Sequence, residues 1–161
     1  QGVRDDQRSL PLDHMIAVVQ RVSKAGVTVA EAGHDARIEL GLVVLLCIEH
    51  EDTPEKASWM AAKIAKLRVF EDDDQRFNLS IKDVAGSVLL VSQFTLAGDC
   101  SKGNRPSFIS AASPEAGQDL IDKVQQLLHQ EHDIPVECGV FGASMKVDLV
   151  NEGPATFILR R

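Results

Sequence analysis

No run of apolar residues in this chain approaches the ~18–20 needed to cross a bilayer. The longest, Leu42 to Ile48, is the size of a strand. Cysteine is scarce: Cys47, Cys100 and Cys138 are an odd, widely spaced set with no CxxC pair. That excludes a zinc knuckle and a disulfide framework, and it fits reduced thiols in a cytoplasmic protein. The sequon Asn78-Leu79-Ser80 is then a chance match. Positive charge is also short, with 17 bases against 24 acids and a net of −7. Such a balance argues against a protein that grips a long nucleic-acid backbone by charge, but not against one that takes only an RNA end. Low-complexity segments, linkers and internal repeats are missing too.

What is present suits one globular domain. The chain has 161 residues, of which 44% are apolar and 25% charged, enough to bury a substantial core. Gln1 to His14 is polar, broken by Pro11, and lacks the apolar core of a signal peptide. Residues 1–14 are expected to be a disordered leader or an expression scar carrying a net −1, with a single domain over 15–161 beginning at Met15.

Met15 to Val22 and Val27 to Ala30 read as two strands of a hairpin turned near Gly26, followed by Ala36 to Leu40. The uniformly apolar Leu42–Ile48 reads as a central strand covered on both faces. Thr53-Pro54-Glu55 and Ser113-Pro114-Glu115 are helix starts: a hydroxyl for the free amides, proline at the first position, an acid at the positive end. The predicted buried stripes are Ala57, Met60, Ala61, Ile64 and Leu67, then Leu120, Ile121, Val124, Leu127 and Leu128. Ser87–Val91 is another strand, Met145, Val147 and Leu149 alternate with polar residues, and Ala155–Leu159 follows a Gly-Pro turn. This order predicts an α+β fold, a mostly antiparallel, barrel-like sheet with two helices packed on it.

GxGxxG, P-loop, HExxH and GxSxG signatures are all missing, so neither a cofactor nor a metal is implied. His129 and His132 read as the polar end of a helix, Glu71–Asp74 as a solvated turn without EF-hand spacing, and Cys100 as an incidental thiol. Two segments are harder to explain as core or plain loop. Ser92-Gln93-Phe94-Thr95-Leu96, read as a strand, puts Gln93 and Thr95 on one face and Ser92, Phe94 and Leu96 on the other. Asn151-Glu152-Gly153-Pro154-Ala155-Thr156 reads as a turn, and its Gly-Pro step permits a cis bond that aims two carbonyl oxygens one way.

Taken together, these segments resemble the D-aminoacyl-tRNA deacylases, also called D-tyrosyl-tRNA deacylases. The first matches the family's SQxxL motif, and the second its NxGPxT motif, with Ala155 where valine is common. Met15–Val22, Asn104–Phe108 and Phe141–Met145 are similar as well, in the right order. The resemblance implies hydrolysis of the ester joining a D-amino acid, or mischarged glycine, to the 3′ end of tRNA, by a cytoplasmic homodimer with its sites at the subunit interface and no membrane partner. It implies that Ser92, Gln93, Phe94 and Thr95 line the catalytic pocket, with the amides near Phe94 and Thr95 as oxyanion donors. By the same resemblance, Gly153 and Pro154 present main-chain oxygens that exclude an L side chain, entering the partner's site, with Asn151 beside them and Arg21 bracing the loop. Thr95 is expected to position groups while the RNA's 2′-hydroxyl assists the chemistry. Lys102 and Arg105 are possible tRNA contacts. The competing readings are a non-catalytic RNA-end binding module on the same fold and an interaction protein recruiting partners at a strand edge.

Overall fold

The computed structural model describes residues 14–161; the expected leader, apart from His14, lies outside the described residues. In chain order the elements are β1 (Ile16–Val29), β2 (His34–Ile38), β3 (Gly41–Cys47), α1 (Pro54–Lys66), β4 (Phe70–Glu71) and β5 (Phe77–Leu79). They are followed by β6 (Ser87–Ser92), α2 (Pro114–Gln130), β7 (Val136–Cys138) and β8 (Lys146–Arg160).

The hairpin expected at Gly26 does not form. β1 runs unbroken through that residue, which pairs with Arg37 on one side and Asp148 on the other. The chain reverses at Ala30–Gly33 instead, where Gly33 takes the left-handed conformation (φ 60°) that a tight reversal needs. β2 and β3 then follow one another antiparallel along the same edge of β1, from Val29↔His34 to Ile16↔Cys47. β8 runs antiparallel along the other edge, from Thr28↔Lys146 to Ile16↔Arg160. Beyond β3, β6 and β7 add in parallel. The sheet is therefore mixed, with its antiparallel half built on β1. A His34 ring nitrogen lies 2.7 Å from the Cys138 carbonyl, linking β2 to β7 and curling the sheet toward a barrel.

Alternation along β3 divides the core, and the strand is covered on both faces as its composition requires. Leu42, Val44 and Leu46 point to the side carrying Met60 and Ile64 of α1 and Val124 and Leu128 of α2. Val43 points the other way, to Val22, Val27, Ile38, Leu89 and Val91 inside the curl. Both helices begin where predicted. Thr53 Oγ1 accepts from Lys56 N at 3.3 Å and Ser113 Oγ from Ala116 N at 3.3 Å, with proline first in each helix. Of the predicted stripes, Leu67, Ile121 and Leu127 are only half-buried at the margins. Among the described residues, no helix is long and apolar enough to cross a membrane.

Candidate active site

β6 emerges beside β3, and the Gln93 amide continues the ladder by donating to Leu46 O at 2.8 Å. The strand expected through Leu96 stops there. Phe94–Ala97 winds into a 3-10 turn, closed by Leu96 N to Gln93 O at 3.2 Å and Gly98 N to Thr95 O at 3.0 Å. The alternation of faces is lost, because turn bonding replaces a neighbouring strand for these amides. Gln93 and Thr95 still meet: the side-chain Gln93 Nε2 donates to Thr95 Oγ1 at 2.6 Å. No histidine or carboxylate among the described residues hydrogen-bonds that hydroxyl. The Phe94 and Thr95 amides open the turn, so no earlier carbonyl of the turn takes them.

Beneath the turn lies Cys47, whose thiol donates to Phe94 O at 3.6 Å. Burial, reinforced by the Glu49 charge, pushes this thiol up to about 12, so it stays protonated at neutral pH and acts as packing. Above the turn, Phe94 is 59% exposed and meets Phe108 edge-on, centroids 5.3 Å apart.

Ser92, Gln93 and Phe94 form one rim of a cavity of about 270 Å³. Its walls come from Leu46 of β3, Ile48 just beyond it, Ala111–Pro114 and Gly117 leading into and along α2, Ile121, and Phe141–Gly142. The lining is mostly apolar with polar groups at one edge, which suits a small organic group held by shape. Sequence reasoning assigned no site role to the α2 and Phe141 walls. One signal was available: a glycine within a helix, Gly117, where an added Cβ would sit 3.3 Å from the Phe141 ring.

The second segment is an excursion from the β1–β8 ladder. Gln20 pairs with Thr156 and Val22 with Asn151, so Glu152–Ala155 loop out opposite Arg21 alone. The expected turn between two separate strands is thus an interruption of one continuous strand. The Gly153–Pro154 bond is cis, and both residues are exposed. Asn151 Nδ2 donates to Arg21 O at 3.1 Å and to Ala155 O at 3.4 Å, across the base of the loop. Arg21, only 7% exposed, donates from Nε to Glu152 O at 3.0 Å and from Nη1 to the buried Val69 O at 2.9 Å. Its Nη2 lies 3.4 Å from the half-exposed Glu71 carboxylate, and its guanidinium covers Phe77 at 5.4 Å. A planar fork reaches these partners together where a lysine would reach one.

Within the chain, Arg21, Asn151, Gly153 and Pro154 form one cluster, but none of them lines the Ser92–Phe94 cavity. Lys102 and Arg105 lie exposed on the loop closed by the Asp99–Ser107 bridge, also outside the cavity. The acidic run is a turn: Asp72 Oδ1 accepts from the Asp74 and Arg76 amides and Oδ2 from Asn78 Nδ2. Those bonds, the Arg76 amide foremost, lower the Asp72 carboxyl.

Residues 18–160 match the family model for D-Tyr-tRNA(Tyr) deacylase. A D-aminoacyl-tRNA deacylase of Geobacter sulfurreducens is 52% identical over 145 residues, covering 90% of this chain and 94% of that protein. One from Thermotoga petrophila is 50% identical over 145 residues, covering 90% and 96%. Among solved structures, a c-Myc DNA unwinding element binding protein superposes with a TM-score of 0.82 at 39% identity, covering 89% of this chain and 97% of that one. A probable eukaryotic D-amino acid tRNA deacylase shares the fold, with a TM-score of 0.77 at 17% identity, covering 92% and 100%.

Proposed function

This chain belongs to the D-Tyr-tRNA(Tyr) deacylase family, and on that premise we propose that Ser92–Thr95 of one protomer and Gly153–Pro154 of a second copy make one ester-cleaving site. The chain is a D-aminoacyl-tRNA deacylase, a hydrolase acting on an aminoacylated RNA. An aminoacyl ester is already activated, so a positioned water and a prepared oxyanion site suffice without a strong nucleophile. Water adds to the ester carbonyl, and the Phe94 and Thr95 amides stabilise the oxyanion. The bond to the ribose 3′-oxygen then breaks, that oxygen takes a proton, and tRNA and a D-amino acid leave. Thr95 positions the reacting groups, and the ribose 2′-hydroxyl assists.

The observation that carries the two-copy site is the separation of the segments. Gly153 and Pro154 stand exposed and line no part of the cavity formed in their own chain. β8, which bears them, pairs only with β1 among the described residues and exposes Val147, Val150 and Ile158 along its length. Apolar side chains on such a strand fit a self-complementary dimer face. In the dimer, the partner's main-chain oxygens at this Gly-cisPro element stand against the substrate's α-carbon. An L side chain collides with them, a D side chain points away, and glycine has nothing to exclude. The enzyme works in the cytoplasm as a single domain over 15–161, and Lys102 and Arg105 are further candidate contacts to the RNA.

Matched D- and L-aminoacyl-tRNA decide the matter in a deacylation assay. The D ester is expected to be lost, the L ester to survive, and the glycyl ester to be lost slowly. Equal hydrolysis of both enantiomers would sink the stereochemical reading, and no hydrolysis of either would favour a binding module. Thr95→Ala is expected to keep its rate within about tenfold of wild type, since it removes a positioning contact and no proton acceptor. Near-total loss with unchanged tRNA affinity would instead make Thr95 a nucleophile.

A further inference from the structure

The net charge of −7 conceals a face that collects cations. Lys63 and Lys66 lie exposed on the last turns of α1, Arg68 is exposed just beyond, and Arg161 arrives from the far end of the chain beside β1. Two of them, Lys63 and Arg161, lie against the single tryptophan, and Lys66 and Arg68 share a groove with it. The Lys63 ammonium is 5.4 Å and the Arg161 guanidinium 5.3 Å from the centroid of the Trp59 ring. A groove lined by Trp59, Ala62, Lys63, Lys66, Leu67 and Arg68 runs along this surface. Among the described residues, none of the four cations is ion-paired. Arg68 bonds to the neutral Asn78 instead. The nearby Asp83 is held mainly by Ser80, with the Arg68 charge the weakest of its influences.

Folding alone does not ask for this arrangement. The negative end of the α1 dipole accounts for Lys63 and Lys66, but Arg68 and Arg161 come from other segments. Like charges brought together repel, and the electron-rich face of Trp59 offsets part of that cost. A surface whose clustered cations form no salt bridge, in an acidic protein, is complementary to a polyanion.

We propose that this face holds the phosphodiester backbone of the substrate tRNA along its acceptor arm. The inference rests on the deacylase reading and adds a second, electrostatic contact to it. The groove shares no residue with the Ser92–Phe94 cavity. It therefore offers a contact separate from the one at the terminal nucleotide, and the stacked arm that continues from that terminus is the polyanion such a surface suits. Lysines on phosphates position a ligand without reading its sequence, which suits an enzyme serving many tRNAs.

The test is the double variant Lys63→Ala/Lys66→Ala, checked for unchanged melting temperature and assayed on two substrates: D-aminoacyl-tRNA and 3′-O-D-aminoacyl-adenosine. On tRNA at low salt, kcat/KM is expected to fall about tenfold, with the loss in KM. The salt-dependence slope should flatten by about one unit per lysine removed. Activity on the aminoacyl-adenosine should not change. Equal losses on both substrates, or no loss on tRNA, would overturn the proposal. If the wild-type protein cleaves neither substrate, the deacylase reading fails, and titration with uncharged tRNA still decides the patch. An affinity and salt slope unaltered by the double variant would then overturn it.

Discussion

Gly153→Ala is expected to cut deacylation of D-aminoacyl-tRNA by about 100-fold, the cost of displacing a positioning element by roughly 1 Å. The added Cβ would lie 2.7 Å from Asn151 Oδ1, closer than unbonded atoms tolerate. Asn151 must shift, and the shift strains its Nδ2 bonds to Arg21 O and Ala155 O across the base of the loop. The hydrophobic core lies elsewhere, so the melting temperature should change little. Rates comparable to wild type would refute the assignment of Gly153 to the site. Mixing protomers separates a two-copy site from a one-copy site. Ala112→Phe obstructs the cavity that Ala112 lines. In a re-equilibrated equimolar mixture with Gly153→Ala, half the dimers are mixed, and each of those keeps one intact site. Activity should therefore recover to about a quarter of wild type, well above that of either variant alone. No recovery despite subunit exchange would place both segments in the same protomer's site.

Arg21→Ala is expected to be the most destabilising change near the site. It removes charge-assisted bonds to Glu152 O and Val69 O and leaves the buried Val69 carbonyl without its donor. Losses of about 1.5–3 kcal/mol per such bond give about 3 kcal/mol after local relaxation. For a chain of this size that is a fall of about 10 °C in Tm, measurable by thermal denaturation. Glu71 contributes little, because its side chain is 47% exposed and finds water instead. Arg21→Lys should recover only part of the loss, since a single ammonium does not span both carbonyls. An Arg21→Ala protein as stable as wild type would mean that the loop is held without this residue.

The parts legible in the sequence were those decided by local chemistry. Thr53 and Ser113 announced their helices because capping needs only a few adjacent residues. Leu42–Ile48 announced a central strand because both its faces had to be dry. Gly26 misled because a glycine in sequence looks the same whether it turns the chain or lets Arg37 pass over it, and here it does the latter. Phe94–Ala97 misled because a strand and a 3-10 turn of so few residues differ only in what their amides meet. The NxGPxT segment was recognisable by its residues. Its form as an excursion opposite Arg21 depends on a strand over 130 positions away. The cavity walls at Gly117 and Phe141 and the cations around Trp59 depend on which distant segments meet. A net charge is a sum, and it hides any cluster that the rest of the chain outweighs.

The position of Trp59 also has an optical consequence. The chain has no tyrosine and no second tryptophan, so its near-ultraviolet emission comes almost wholly from one indole. That indole lies half-buried at the edge of the core, with two cations over its ring. The protein therefore carries a built-in fluorophore on the face assigned to the RNA, and the approach of a polyanion there can be followed without attaching a dye.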